Sequence, residues 1–69
     1  MPTTDYVVTG MTCDHCVHAV TEEVSALDGV DDVAVDLTSG RLTVTSSSDV
    51  PYASVAAAVD EAGYALSPA

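Results

Sequence analysis

Residues 32–44 read Asp32-Val33-Ala34-Val35-Asp36-Leu37-Thr38-Ser39-Gly40-Arg41-Leu42-Thr43-Val44. Val33, Val35 and Leu37 fall on one side of an extended chain, and Leu42 and Val44 resume the alternation after Thr38-Ser39-Gly40-Arg41. Two half-buried strands joined by a short loop form a hairpin, with Gly40 supplying the positive φ of its turn. The centre of the chain is therefore antiparallel sheet, and the flanking segments must pack around it.

Upstream, Asp5-Tyr6-Val7-Val8-Thr9 is β-branched and aromatic and stops at Gly10, as a strand does. From Asp14 to Leu27 the apolar residues Val17, Val20, Val24 and Leu27 recur at three- and four-residue steps, one face of a helix. Gly29 lies just past that span, where a left-handed cap is expected. Downstream, Thr45-Ser46-Ser47-Ser48 reads as a loop. A second helix is expected from about Pro51 to Ala62, capped by Ser48 or Asp49, with Pro51 in its first turn and Val55, Ala58, Val59 and Ala62 facing inward. Gly63 ends it, and Tyr64-Ala65-Leu66 forms a last short strand.

The order β-α-β-β-α-β, with a helical crossover in each half, specifies an α+β, ferredoxin-like sandwich: a four-stranded antiparallel sheet with two helices on one face. With 69 residues there is room for one domain, residues 1–69, and no second core. The open face of the sheet would carry Val7, Thr9, Ala34, Asp36, Thr43 and Thr45, a polar or small set suited to water.

Eleven Asp and Glu stand against Arg41 alone, with no Lys, for a net charge of -10. Such a surface cannot neutralise phosphates, which excludes nucleic acid as a partner, and it is repelled by anionic membranes. Apolar stretches such as Ala56-Ala57-Ala58-Val59 fall far short of the ~20 residues of a membrane span, so no membrane insertion is expected. Met1-Pro2-Thr3-Thr4-Asp5 has neither a basic start nor an apolar block, so no secretory leader is read and the cytoplasm is the expected location. Twelve valines argue for a folded chain, with an apolar interior under an acidic shell. That shell suits a salt-accumulating halophile; an ordinary acidic protein of a GC-rich organism is the alternative.

Both cysteines lie in Gly10-Met11-Thr12-Cys13-Asp14-His15-Cys16, between the first strand and the first helix. A C-x-x-C pair at a helix start sets two sulfurs on one small ion, with the positive helix end favouring thiolate. Cys13, in the loop, is expected to be the exposed and more reactive thiol, and Cys16, one turn in, to be partly shielded. A closed zinc site wants four ligands, and this chain offers one dithiol pair; zinc would need His15 plus a carboxylate or a second molecule. Two soft thiolates alone suit a d10 ion of low coordination number, Cu(I). His15 reads first as an exposed polar loop residue and second as a transient ligand, and His18 as solvated. Met11 carries a thioether that Cu(I) would accept, but after an apolar strand such a residue more often packs in the core. Asp14 supplies a favourable charge to the first helical turn and no ligand.

The motif Gly10-Met11-Thr12-Cys13-x-x-Cys16, followed by this topology and by Gly63-Tyr64, resembles the heavy-metal-associated domain family over essentially the whole chain. That resemblance implies that Cys13 and Cys16 are the metal ligands, that Met11 packs beneath the loop, and that Tyr64 lies beside the site. Thr12 before the first cysteine and Tyr64 both match copper-handling members, the latter prokaryotic chaperones. The function implied is a cytoplasmic, non-enzymatic Cu(I) carrier that hands copper by thiolate exchange to a copper-transporting P-type ATPase or a copper-responsive regulator. The excised amino-terminal metal-binding domain of such an ATPase is the near variant; a chain starting at Met1 favours the free-standing form. The chain is expected to be monomeric without metal, and two loops sharing copper through four thiolates would make a copper-bridged homodimer. A dithiol oxidoreductase is the rival of another class. Against it, prolines occur only at positions 2, 51 and 68, leaving none for the substrate-binding cis-proline of a thioredoxin-like site.

Overall fold

The computed structural model describes residues 3–69. Met1 and Pro2, the start of the segment read as carrying no leader, lie outside the described residues. The elements are β1 (Thr3–Thr9), α1 (Asp14–Ser25), β2 (Val30–Asp36), β3 (Arg41–Ser46), α2 (Tyr52–Glu61) and β4 (Ala65–Pro68). The strands form one antiparallel sheet in the order β2-β3-β1-β4. Both helices cover one face of it, so the fold is the ferredoxin-like sandwich that the pattern specifies.

Register explains the core. Tyr6 lies opposite Leu42, and Val44 opposite Val33, so the apolar positions of three neighbouring strands meet on one face. Val20 and Val24 of α1 and Val55, Ala58 and Val59 of α2 close over them. The largest fully buried side chains are Leu42 and four valines. Each contributes about 1.5–3 kcal/mol by leaving water, so the interior is made of many small increments. Tyr6 adds the one buried ring, centred 5.8 Å from that of Tyr52. The Tyr52 hydroxyl donates to the Leu66 carbonyl at 2.9 Å, tying the first turn of α2 to β4. On the open face Thr9, Ala34 and Asp36 are exposed and Val7, Thr43 and Thr45 half-buried. Thr43 donates to the Asp5 carboxylate there at 2.9 Å, and Arg41 lies 3.9 Å from the same carboxylate.

Several local expectations shift. Helix α1 stops at Ser25, not Leu27, because the chain tightens and the Leu27 N–H reaches the Val24 carbonyl at 3.1 Å, folding Leu27 against the core. Ala26 is then the cap, and Gly29 belongs to the turn into β2. Val17 is only half-buried; the inner stripe of α1 is Cys16, Val20 and Val24. Leu37 leaves the strand for the hairpin turn. There Asp36 accepts the Thr38 N–H on its side chain at 3.0 Å and the Gly40 N–H on its carbonyl at 2.8 Å. Thr45 and Ser46 belong to β3, with Ser46 buried opposite Val30. Neither Ser48 nor Asp49 caps α2: Pro51 itself holds the cap position, extended at ψ 146°. β1 begins at Thr3, and β4 runs from Ala65 to Pro68.

Gly40 has φ +74° and packs against β1, where an added Cβ would lie 2.7 Å from the Val8 carbonyl oxygen. Gly63 has φ +96° with nothing within 4 Å of that position. Gly63→Ala should therefore cost only the left-handed penalty, about 1–2 kcal/mol, and Gly40→Ala clearly more. Urea midpoints of the two variants check this; equal losses would contradict the clash.

Candidate metal centre

The loop begins where β1 ends. Cys13 is the N-cap of α1, with extended backbone at φ -160° and ψ 172°. Its carbonyl accepts the Cys16 N–H at 3.0 Å and the Val17 N–H at 3.3 Å, closing the first helical turn. Its side chain makes no capping bond, which leaves the sulfur free. That turn sets the Cys13 and Cys16 Sγ atoms 3.6 Å apart. Cys13 is exposed and Cys16 buried at 8%.

The shielded thiol is surrounded by donors. Cys16 falls from an ordinary 9.0 to about 6, chiefly because the Thr12 backbone N–H points at its sulfur, and then because the Tyr64 hydroxyl faces it. The Thr12 hydroxyl, 3.8 Å from the sulfur, and the Cys13 thiol add smaller contributions, while burial opposes them. In return, the Tyr64 hydroxyl is held above its usual range, first by its hydrogen bond to Cys16 and then by burial and the two nearby thiol groups. Tyr64 therefore stays protonated and remains a donor. Cys13 is the exposed thiol, as expected, while the donors of the loop and of Tyr64 converge on Cys16.

Tyr64 reaches the loop through the end of α2. Ala62 is the C-cap and Gly63 turns left-handed, so the Gly63 N–H bonds the Asp60 carbonyl at 2.9 Å and the Tyr64 N–H the Val59 carbonyl at 3.1 Å. The Tyr64 ring then lies over Gly10, 3.4 Å from where a Cβ would project. Met11 is half-buried and packed against the core. His15, His18 and Asp14 are exposed, and among the described residues no His, Asp or Glu joins the cysteines in a group of three. The structure thus gathers Cys13, Cys16, Thr12 and Tyr64, and leaves His15 outside. Sequence reasoning expected nearby backbone N–H groups to favour thiolate and missed the Thr12 hydroxyl at Cys16, whose signal is a hydroxyl residue four positions before a cysteine in a first helical turn.

The profile of the heavy-metal-associated domain matches residues 6–65, and the chain belongs to that family. It is 43% identical over 58 residues to the copper chaperone CopZ of Bacillus subtilis, covering 83% of this chain and 84% of that protein. To human copper-transporting ATPase 2 it is 35% identical over 66 residues, which is 94% of this chain and 4% of the ATPase. A solved CopZ metallochaperone superposes with a TM-score of 0.88 at 30% identity, over 94% of this chain and 98% of that one.

Because the folded Cys16 titrates near 6 and the ordinary thiol near 9.0, the Cys16 thiolate stabilises the fold fully above about pH 9 and ceases to do so as pH falls through about 6. Thiolate ultraviolet absorbance should show one thiol ionising near pH 6, with Tyr64→Phe moving that midpoint upward. Two thiols both ionising near 9 would contradict the arrangement.

Proposed function

We propose that this chain binds Cu(I) through Cys13 and Cys16 and carries it, by thiolate exchange, to a copper-transporting P-type ATPase or a copper-responsive regulator. The observation that carries this reading is the pair itself: two sulfurs 3.6 Å apart, one exposed and one anchored. With Cys13 exposed to solvent, an ion held by the pair has its outer side open. Two soft donors with an open side favour a d10 monovalent ion over a divalent one that wants a closed shell. The same open side admits a thiolate of the acceptor, so bonds to sulfur are exchanged while copper stays Cu(I). No electron moves, and each thiolate that leaves is matched by one that arrives.

The likeness to the copper chaperone over 84% of its length supports the carrier form. The match to human copper-transporting ATPase 2 favours a second reading, a metal-binding domain of such a pump, which would use the same dithiol in the same way. In both, the chain is a binding module and its setting is the cytoplasm, where the dithiol stays reduced. Among the described residues no helix is long and apolar enough to cross a membrane.

Cys13→Ala and Cys16→Ala should each weaken Cu(I) binding at least about 100-fold, ~2.7 kcal/mol, since one thiolate leaves the ion under-coordinated. His15→Ala should change affinity little. Competition against a chromophoric Cu(I) chelator measures all three, and wild-type affinity in either cysteine variant would overturn the two-thiolate site.

A further inference from the structure

The two helices end against their own electrostatics. The carboxyl end of a helix carries partial negative charge and is stabilised by cations, yet neither α1 nor α2 has a basic residue in its last turn. Glu22 and Glu23 occupy that turn in α1, and Asp60 and Glu61 in α2. All but Glu23 are exposed. The chain's lone Arg41 lies across the sheet on its open face, beside Asp5, where it cannot help either end.

The two ends differ in what hangs from them. α1 leads into the turn toward β2. α2 leads through Gly63 directly to Tyr64, held by the bonds from Gly63 to Asp60 and from Tyr64 to Val59. Those bonds are what set the Tyr64 ring over Gly10 and its hydroxyl beside Cys16. Repulsion at the end of α2 therefore acts on a residue outside the loop whose hydroxyl faces the dithiol.

We propose that the capping turn at the end of α2, residues 59–64, is an ionic-strength-sensitive latch: screening of Asp60 and Glu61 closes it, and with it the placement of Tyr64 against the dithiol loop. At ~10 mM salt the Debye length is about 30 Å, longer than the whole turn, and the carboxylates act on the helix end unscreened; at ~1 M it is about 3 Å and they do not. The latch belongs to the metal-free protein and does not rest on the copper reading.

Amide hydrogen exchange of the metal-free chain, followed by NMR across a sodium chloride series, tests it. Protection of the Gly63 and Tyr64 amides should rise about threefold to tenfold between ~10 mM and ~1 M salt beyond any rise at Val20, buried in the middle of α1. Asp60→Asn combined with Glu61→Gln should start near the wild-type high-salt value and lose most of the slope. Glu22→Gln with Glu23→Gln removes the same charge from the end of α1 and should leave the slope at Gly63 and Tyr64 in place. If those amides follow Val20 in parallel, or if the two double variants respond alike, salt acts on the fold as a whole and the latch is overturned.

Discussion

Burial of Cys16 in line with Val20 and Val24 is the contact that joins the dithiol loop to the rest of the molecule. Residues four apart on a helix share a face, so the stripe that anchors α1 to the sheet ends at the second cysteine. Cys13, at the cap, is exposed and is held by backbone bonds and by the 3.6 Å contact of its sulfur with that of Cys16. One secured thiol and one open thiol are what a site needs if it is to hold an ion and also let another ligand reach it.

The electrostatics operate on two length scales. Over the whole surface, a net charge of -10 disfavours every added negative charge. Within a few ångströms of Cys16 the donors are uncharged: the Thr12 N–H, the Tyr64 hydroxyl and the Thr12 hydroxyl. Short-range donors aimed at one sulfur can favour the thiolate without any Lys or Arg nearby, and salt screens them little because they are in contact. The carboxylates at the helix ends act over longer distances, which is why ionic strength reaches the α2 end and not the thiol directly.

Tyr64 links the two scales. Its side chain belongs to the dithiol's surroundings, and its backbone to the capping turn of α2. Tyr52 adds a tie at the other end of that helix, where its hydroxyl holds the Leu66 carbonyl of β4 and its ring packs on Tyr6. Helix α2 is thus stitched to the edge strand at both ends, once by an aromatic hydroxyl and once by a left-handed glycine.

Much of this was legible in one dimension, because periodicity and spacing are local properties. Alternation at Val33, Val35, Leu42 and Val44 is enough to write the hairpin, and C-x-x-C before a helical stripe is enough to place two sulfurs on one side of a turn. The misread positions are those where a contact distant in sequence outweighs local preference. Thr45 and Ser46 look like loop until β2 and β1 pair with them, and Ser48 and Asp49 look like caps although Pro51 takes that place. Leu27 and Leu37 carry the right hydrophobicity but lie in turns. The sequence alone therefore determined the elements, their order and the two thiols. Only the tertiary structure decided that the Tyr64 hydroxyl joins the local Thr12 donors at Cys16, because Tyr64 is 48 positions away along the chain and is brought to that sulfur by the packing of α2 against the sheet.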